Sequence, residues 1–180
     1  MIEWTPGNLT EEALWAKWLH SDAVRAFESG EIDPDTFAQS TIDEFELRVS
    51  SSEFLSAFET WIDGLFDGVD DLIAELRPVY RLATMSNTNT IHWPKLTQEM
   101  GLGHLIDTHY PSHQTGLLKP DRDAFENVIS ELGSPPDRIL FFDDNQLNVS
   151  AALEVGLNAR VVRGPEDIRA ELQRLDLLTD

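Results

Sequence analysis

Two adjacent carboxylates are the residues of this sequence that most clearly point to chemistry. Asp143 and Asp144 directly follow the apolar run 138–142, which is typical of a strand buried on both faces. Neighbouring acids repel each other unless a cation offsets their charge. Mg²⁺ typically takes one or two protein carboxylates and completes its coordination with water and phosphate oxygens. The pair therefore indicates a magnesium site, with the alternative that Asp144 only begins the next helix, where carboxylates are favoured.

Two further polar segments contain groups that could hold an oxyanion. Ser86 and Asn87 follow the apolar run 79–85, and a hydroxyl, an amide and free backbone N–H groups there could bind phosphate. The alternative is an ordinary polar turn with helix-capping residues. Lys119 precedes a proline, which favours extended chain, so its ammonium could reach the carboxylates and a phosphate. The alternative is a solvated loop lysine.

An α/β core would bring these three segments to one edge of a sheet. From residue 68 onward, apolar strand-like runs alternate with helical patterns, which predicts right-handed βαβ units and a parallel sheet. Ligands bind beyond the carboxyl ends of the strands in such sheets. The predicted strands are 79–85, 106–112, 138–142 and 159–162. The predicted helices are 69–76, 93–100, 121–132, 145–155 and 165–175.

The sequence predicts helices and no strands in the first 64 residues. Capping residues and apolar residues at helical spacing predict four short helices in a small bundle, beginning near Thr10, Ser21, Asp33 and Ser51. We therefore place a helical region in residues 1–64 and an α/β core in residues 65–180.

Composition excludes several classes of function. Among 180 residues there are 33 Asp and Glu against 13 Lys and Arg, a net charge of −20, which disfavours binding to nucleic acids and anionic membranes. With no cysteine there is no disulfide and no thiolate metal site. Apolar runs are too short to span a bilayer and no secretory signal is visible, so we expect a cytoplasmic protein.

Taken together and in this order, the three segments resemble the haloacid dehalogenase (HAD) superfamily. Residues 84–87 resemble its second motif, residues 118–120 its third, and residues 141–148 its fourth. The helical region is similar to the cap of members with a helical insertion after the first strand. The Asp-Asp-Asn form of the fourth motif is similar to the branch that includes small sugar-phosphate and nucleotide phosphatases. The resemblance implies a doubly wound parallel sheet with an N-terminal helical cap.

The resemblance also implies a role for each candidate residue. Ser86 and Asn87 would bind the transferring phosphoryl group, and Lys119 would balance its charge. Asp143 and Asp144 would hold Mg²⁺ directly or through water. Phosphoryl transfer depends mainly on positioning and charge stabilisation, which suits such a set of groups.

Asn148 would support the site from the following helical turn. The family's nucleophilic aspartate, however, belongs to a first, central strand that residues 1–9 do not match. We therefore expect that strand to be missing from this chain, which would leave its neighbours with unpaired edges. The favoured explanation is a start codon assigned at an internal methionine, or a shortened chain. The alternative is a homologue that has no nucleophile.

The resemblance predicts a magnesium-dependent phosphatase that acts on a small phosphorylated metabolite through an aspartyl-phosphate. The 180 residues alone are expected to show little or no turnover. The alternative is a non-catalytic module that binds magnesium and phosphate weakly, or that accepts a strand from a partner or a second copy. A phospho-receiver domain is disfavoured because Lys119 precedes the acidic pair, and a dehalogenase is disfavoured because it needs no metal.

Overall fold

The computed structural model of the protein describes residues 2–5 and 10–178. Its helices are α1 (Glu11–Leu19), α2 (Asp22–Glu28), α3 (Pro34–Phe45), α4 (Ser51–Phe58), α5 (Val69–Leu76), α6 (His92–Pro94), α7 (Leu102–Leu105), α8 (Ser112–Thr115), α9 (Arg122–Leu132), α10 (Gln146–Glu154) and α11 (Pro165–Arg174). Its strands are β1 (Ala83–Ser86), β2 (Thr108–Pro111), β3 (Leu140–Asp143) and β4 (Asn158–Val161). Short 3₁₀ helices span Ile2–Trp4 and Pro136–Arg138, and a π-helical turn, Lys95–Glu99, continues α6. None of the described helices has both the length and the apolar character needed to cross a bilayer.

Side-chain caps determine where the first four helices begin. Each cap oxygen accepts a hydrogen bond from a backbone N–H three residues further on, which satisfies a donor that the helix leaves unpaired. These caps are Thr10, Ser21, Asp33 and Ser50. The four predicted helices are confirmed, and the fourth is capped by Ser50 in a reciprocal capping box with Glu53.

The helical bundle, α1–α4, has a hydrophobic core of its own made largely of aromatic rings. Phe27, Phe37 and Phe54 are almost fully buried, and the rings of Phe27 and Phe37 stack with centroids 4.2 Å apart. Trp18 packs against Phe37, Phe45, Phe58 and Trp61 at centroid distances of 5.2–6.1 Å. Buried aromatic rings contribute large apolar areas, so they hold short helices together.

The described strands form two parallel pairs. β1 pairs with β2, with Ser86 opposite Pro111, and β3 pairs with β4, with Asp143 opposite Val161. Within residues 2–5 and 10–178, no hydrogen-bonded pairing joins β1 to β3. The α/β class with parallel strands is confirmed, and the absence of a first strand from the chain stays a prediction.

Helices cover β3 on both sides. Phe141 belongs to a cluster with Phe125, Val149 and Ala152 of α9 and α10, while Phe142 packs on the cluster formed by α5 and α11. Successive side chains of a strand point to opposite faces, which explains why neighbouring residues enter different clusters. This layered core places the ends of β1 and β3 at the same edge as the loop before α9.

Two sequence predictions about the strands need correction. The strand predicted at 79–85 is only Ala83–Ser86. The backbone N–H groups of Val79 and Tyr80 donate to the carbonyl oxygen of Leu76 at the end of α5, and the Val79 side chain is 72% exposed. The apolar run of β3 was expected to be buried on both faces, yet Leu140, Phe141 and Phe142 keep partial exposure. The physical reason is that β3 pairs with another described strand along one edge only.

Two close contacts attach the bundle to the core. The His92 Nε2 lies 2.7 Å from the carbonyl oxygen of Phe58, and the two rings lie 4.3 Å apart. Gly30, just after α2, lies so close to α8 that a Cβ there would be 2.3 Å from the carbonyl oxygen of His113. The second contact therefore depends on the missing side chain of Gly30.

We expect Gly30→Ala to destabilise the protein more than Gly68→Ala. Both glycines have a φ near +77°, so both variants bear the cost of a left-handed residue, roughly 1–2 kcal/mol. Only Gly30 has backbone within contact distance, and overpacking costs about 1–3 kcal/mol in addition. Urea unfolding of both variants measures the difference, and equal losses would contradict the close-contact argument.

Candidate active site at the strand ends

A buried ion pair joins two of the predicted site residues. The Lys119 Nζ lies 2.6 Å from Oδ2 of Asp143, and the two side chains are only 11% and 6% exposed. Asp143 is the last residue of β3, and Lys119 belongs to the loop that precedes α9. Burial makes an unpaired charge costly, so each of these groups needs the other.

The other oxygen of the Asp143 carboxylate is held from the following helix. Its Oδ1 accepts hydrogen bonds from the backbone N–H of Asn145 and from Nδ2 of Asn148, both at 2.9 Å. Asn148 is itself buried. With Lys119, three donors surround this carboxylate, which orients it and leaves room for one more partner.

Asn87 positions the backbone of Lys119. Its Nδ2 donates to the carbonyl oxygen of Lys119, and its Oδ1 accepts from the N–H of Lys119, both at 2.9 Å. The amide links the loop after β1 to the loop that holds the lysine. In this structure the Asn87 side chain orients Lys119, which is a different task from the phosphate contact that the sequence suggests.

Ser86 and Asp144 have no such partners. Ser86 ends β1 with partial exposure, and Asp144 is exposed beside Asp143. In the described part of the chain, neither side chain makes a hydrogen bond or an ion pair. The structure thus brings Asn87, Lys119, Asp143 and Asn148 into one connected network, while Ser86 and Asp144 lie next to it with their oxygens free.

The donor set fits a magnesium ion held by few protein ligands. No group of three or more His, Cys, Asp or Glu side chains that could hold a metal occurs among residues 2–5 and 10–178. Asp143 and the exposed Asp144 could supply hard oxygen ligands, and Mg²⁺ usually takes its remaining ligands from water and substrate. The residues present are compatible with Mg²⁺ and unsuited to a metal that needs a full protein cage.

Glu28 is a candidate residue that sequence reasoning missed. Burial raises the pKa of its carboxyl to about 7, although the nearby cations Arg25 and Lys119 lower it. It ends α2, and a carboxylate is unfavourable at the negative end of a helix dipole. A carboxylate at the C-terminal end of a predicted helix is the one signal in the sequence that could have indicated Glu28.

We expect Asp143→Asn to cost about 3–5 kcal/mol of unfolding free energy, because it leaves the Lys119 ammonium buried without its counter-charge. The matched variant Asp144→Asn removes an exposed carboxylate and should change stability by no more than about 0.5 kcal/mol. Urea unfolding in metal-free buffer compares them. Similar small losses in both variants would show that the ion pair does not hold the site together.

The raised pKa of Glu28 predicts a stability that depends on pH. A carboxyl that binds its proton more tightly in the folded state stabilises below the unfolded pKa of 4.5, and this contribution is lost as pH rises through about 7. Burial lowers the pKa of His92 and His113, which acts in the opposite direction near neutral pH. We therefore expect the stability of Glu28→Gln relative to the wild type to increase as pH rises from 4.5 to about 7. A constant difference over this range would contradict the assignment.

Known proteins resemble this chain over most of its length. A family model described as haloacid dehalogenase-like hydrolase matches residues 10–156. D-ribitol-5-phosphate phosphatase of Bacteroides thetaiotaomicron is 28% identical over 166 residues, covering 87% of this chain and 79% of that protein. Flavin mononucleotide hydrolase 1 of Arabidopsis thaliana is 24% identical over 155 residues, covering 84% of this chain and 61% of the plant protein.

The fold is also found in solved structures. A HAD family enzyme of Bacteroides thetaiotaomicron, crystallised with magnesium and inorganic phosphate, superposes with a TM-score of 0.71 at 23% identity. The match covers 87% of this chain and 82% of that one. This likeness confirms the HAD-like α/β fold. Because the family model spans most of the sequence, the chain belongs to the haloacid dehalogenase-like hydrolases.

Proposed function

We propose that this protein is a magnesium-dependent phosphatase for small phosphorylated metabolites. The observation that carries the proposal is the buried pair of Lys119 and Asp143 with the free carboxylate of Asp144 beside it. Two carboxylates at the end of β3, with the Lys119 ammonium of a neighbouring loop beside them, form a suitable place for a phosphoryl group and a divalent ion. The phosphatase and hydrolase activities named for the two relatives support the same chemistry.

Each residue of the network then has a task. The ammonium of Lys119 offsets negative charge on the phosphoryl oxygens, and the Ser86 hydroxyl donates a hydrogen bond to one of them. Asn87 keeps Lys119 in place, while Asn148 and the N–H of Asn145 orient Asp143. Asp143 and Asp144 would hold Mg²⁺, which when bound neutralises charge that develops on the transferring group. These groups act by position and charge, which is what phosphoryl transfer requires.

The helical bundle is proposed to be a cap over this site, within residues 1–64, with the catalytic core in residues 65–180. The ion pair of Arg25 Nη2 with Asp121 Oδ2, at 2.8 Å, supports this arrangement. It links α2 to the residue two positions after Lys119. A cover of this kind limits access of water and can contact the alcohol part of a substrate.

We further propose that the nucleophile is an aspartate on a strand between β1 and β3. Its oxygen would bond to phosphorus as the ester oxygen leaves, and water would then release phosphate. One observation supports this: within residues 2–5 and 10–178, no hydrogen-bonded pairing joins β1 to β3.

The edges of β1 and β3 that pair with no other described strand also favour a second candidate function. A partner protein or a second copy of this chain could add a strand there, as exposed sheet edges allow. The protein would then be a non-catalytic module with weak affinity for magnesium and phosphate. Phosphate binding without turnover, together with a complex of two chains in solution, would favour this reading.

Calorimetric titration with inorganic phosphate tests the proposed site. We expect binding that requires Mg²⁺ and that Lys119→Met weakens by about tenfold or more, since hydrogen bonds to charged groups contribute about 1.5–3 kcal/mol. Lys95→Met is the matched control, because Lys95 is paired with Glu59 instead. Ser86→Ala should weaken binding without disturbing the buried ion pair, so it tests the site even if Lys119→Met unfolds.

Two outcomes would contradict parts of this proposal. Phosphate could instead bind without Mg²⁺ and with an affinity that Lys119→Met and Ser86→Ala leave unchanged. That outcome would contradict a phosphate site at the strand ends. Rapid hydrolysis of p-nitrophenyl phosphate that Asp144→Asn leaves unchanged would contradict the proposed role of Asp144 as a magnesium ligand.

A further inference from the structure

The segment that directly follows β1 is held by three different parts of the chain. We call residues 87–89 the β1 loop. Asn87 bonds to the backbone of Lys119, and Thr88 bonds to the side chain of Ser112 at the start of α8. The third residue, Asn89, accepts hydrogen bonds from backbone N–H groups at the start of α6. The β1 loop therefore connects the loop of Lys119 with α6 and α8.

The hydroxyl of Ser112 makes two hydrogen bonds to the same residue of this loop. Its Oγ accepts from the N–H of Thr88 at 2.9 Å and donates to the carbonyl oxygen of Thr88 at 3.0 Å. Both residues are buried, and Ser112 is only 1% exposed. A hydroxyl is donor and acceptor at once, so one small side chain serves both backbone groups. Because buried backbone groups are costly without partners, this contact fixes the path of the β1 loop.

The placement of Ser112 follows from the pairing of β1 with β2. Ser86 and Pro111 are opposite each other at the ends of these parallel strands, so the residues that follow them leave the sheet side by side. On its other side, α8 is contacted by the bundle, since Gly30 lies against the carbonyl oxygen of His113. The Ser112 hydroxyl is thus held between the β1 loop and α2.

The position of Thr88 determines the position of Asn87, the residue before it. The Asn87 amide bonds to both the N–H and the carbonyl oxygen of Lys119, each at 2.9 Å. Hydrogen bonds weaken steeply when their geometry departs from the preferred angles, so a small shift of the loop would weaken both. The Lys119 backbone would lose its support, and with it the ammonium that pairs with Asp143. Ser112 can therefore influence Lys119 without contacting it.

We propose that Ser112 is a positioning residue of the phosphate site: by holding the backbone of Thr88, it keeps the Asn87 amide on Lys119 and so places the ammonium that binds phosphate. This inference rests on the proposed function and adds a residue from outside the three motifs. Because Ser112 acts through Asn87, the loss of the hydroxyl and the loss of the amide have the same effect on the ligand.

Calorimetric titration with inorganic phosphate in the presence of Mg²⁺ tests the inference. We expect Ser112→Ala to weaken phosphate binding by about tenfold, as the loss of a hydrogen-bond partner behind a metal-dependent site does. Ser112→Cys keeps the shape but offers only a weak donor and acceptor, so its dissociation constant should lie between the two. Thr97→Val is the matched control, because the Thr97 hydroxyl bonds to the carbonyl oxygen of Trp93 instead. It should leave the dissociation constant at the wild-type value.

A double-mutant cycle with Asn87→Ala separates positioning from a general loss of stability. If Ser112 acts through Asn87, the double variant binds phosphate about as weakly as Asn87→Ala alone, because the contact that Ser112 maintains is already absent. Fold-changes that multiply in the double variant would overturn the positioning role. If Ser112→Ala does not fold, as circular dichroism would show, Ser112→Cys takes its place in the same cycle.

The titration of the wild type distinguishes a failure of this inference from a failure of the proposed function. If phosphate does not bind the wild type with Mg²⁺, the proposed function is wrong and this inference falls with it. If phosphate binds the wild type and the folded Ser112 variants equally well, only the role of Ser112 is overturned. Wild-type affinity in Asn87→Ala would overturn that role as well, since the amide is the step between Ser112 and Lys119.

Discussion

The buried ion pair between Lys119 and Asp143 is the interaction on which the arrangement of the strand ends depends. Neither charge is stable alone at this depth, because desolvation costs several kcal/mol per ion unless it is offset. The pair connects the end of β3 to the loop before α9, and Asn87 extends the connection to the end of β1. A site distributed over distant parts of the sequence is thereby held as one unit.

The chain combines two hydrophobic cores with a polar contact region between them. Aromatic rings hold the bundle together, while aliphatic and aromatic clusters hold helices on both faces of β3. Between these cores lie His92, Gly30 and the pair of Arg25 with Asp121. Hydrogen bonds and close backbone contacts are directional, so they define how α2 faces the loop of Lys119.

Charge is distributed unevenly around the candidate site. The chain carries a net charge of −20, and the basic side chains of two ion pairs near α2, Arg25 and Lys119, are each bound to an aspartate. The candidate site thus combines a few paired charges with a strongly acidic chain, a composition that disfavours binding to nucleic acids.

The sequence by itself determined the features that depend on local chemistry. Helix starts follow from capping side chains that bond three residues ahead, and the parallel α/β class follows from the order of apolar runs. The residues of the Lys119 network, which are Asn87, Lys119, Asp143 and Asn148, all belong to the three motifs that the sequence shows.

Only the tertiary structure decided what depends on contacts between distant residues. It assigned the Asn87 amide to the backbone of Lys119, paired β3 with another described strand along one edge only, and buried the Glu28 carboxyl so that its pKa rises to about 7. Burial and partner choice arise from groups that lie far apart in sequence, and no pattern of neighbouring residues encodes them. For that reason the chemistry could be anticipated from the motifs, whereas the partner of each site residue could not.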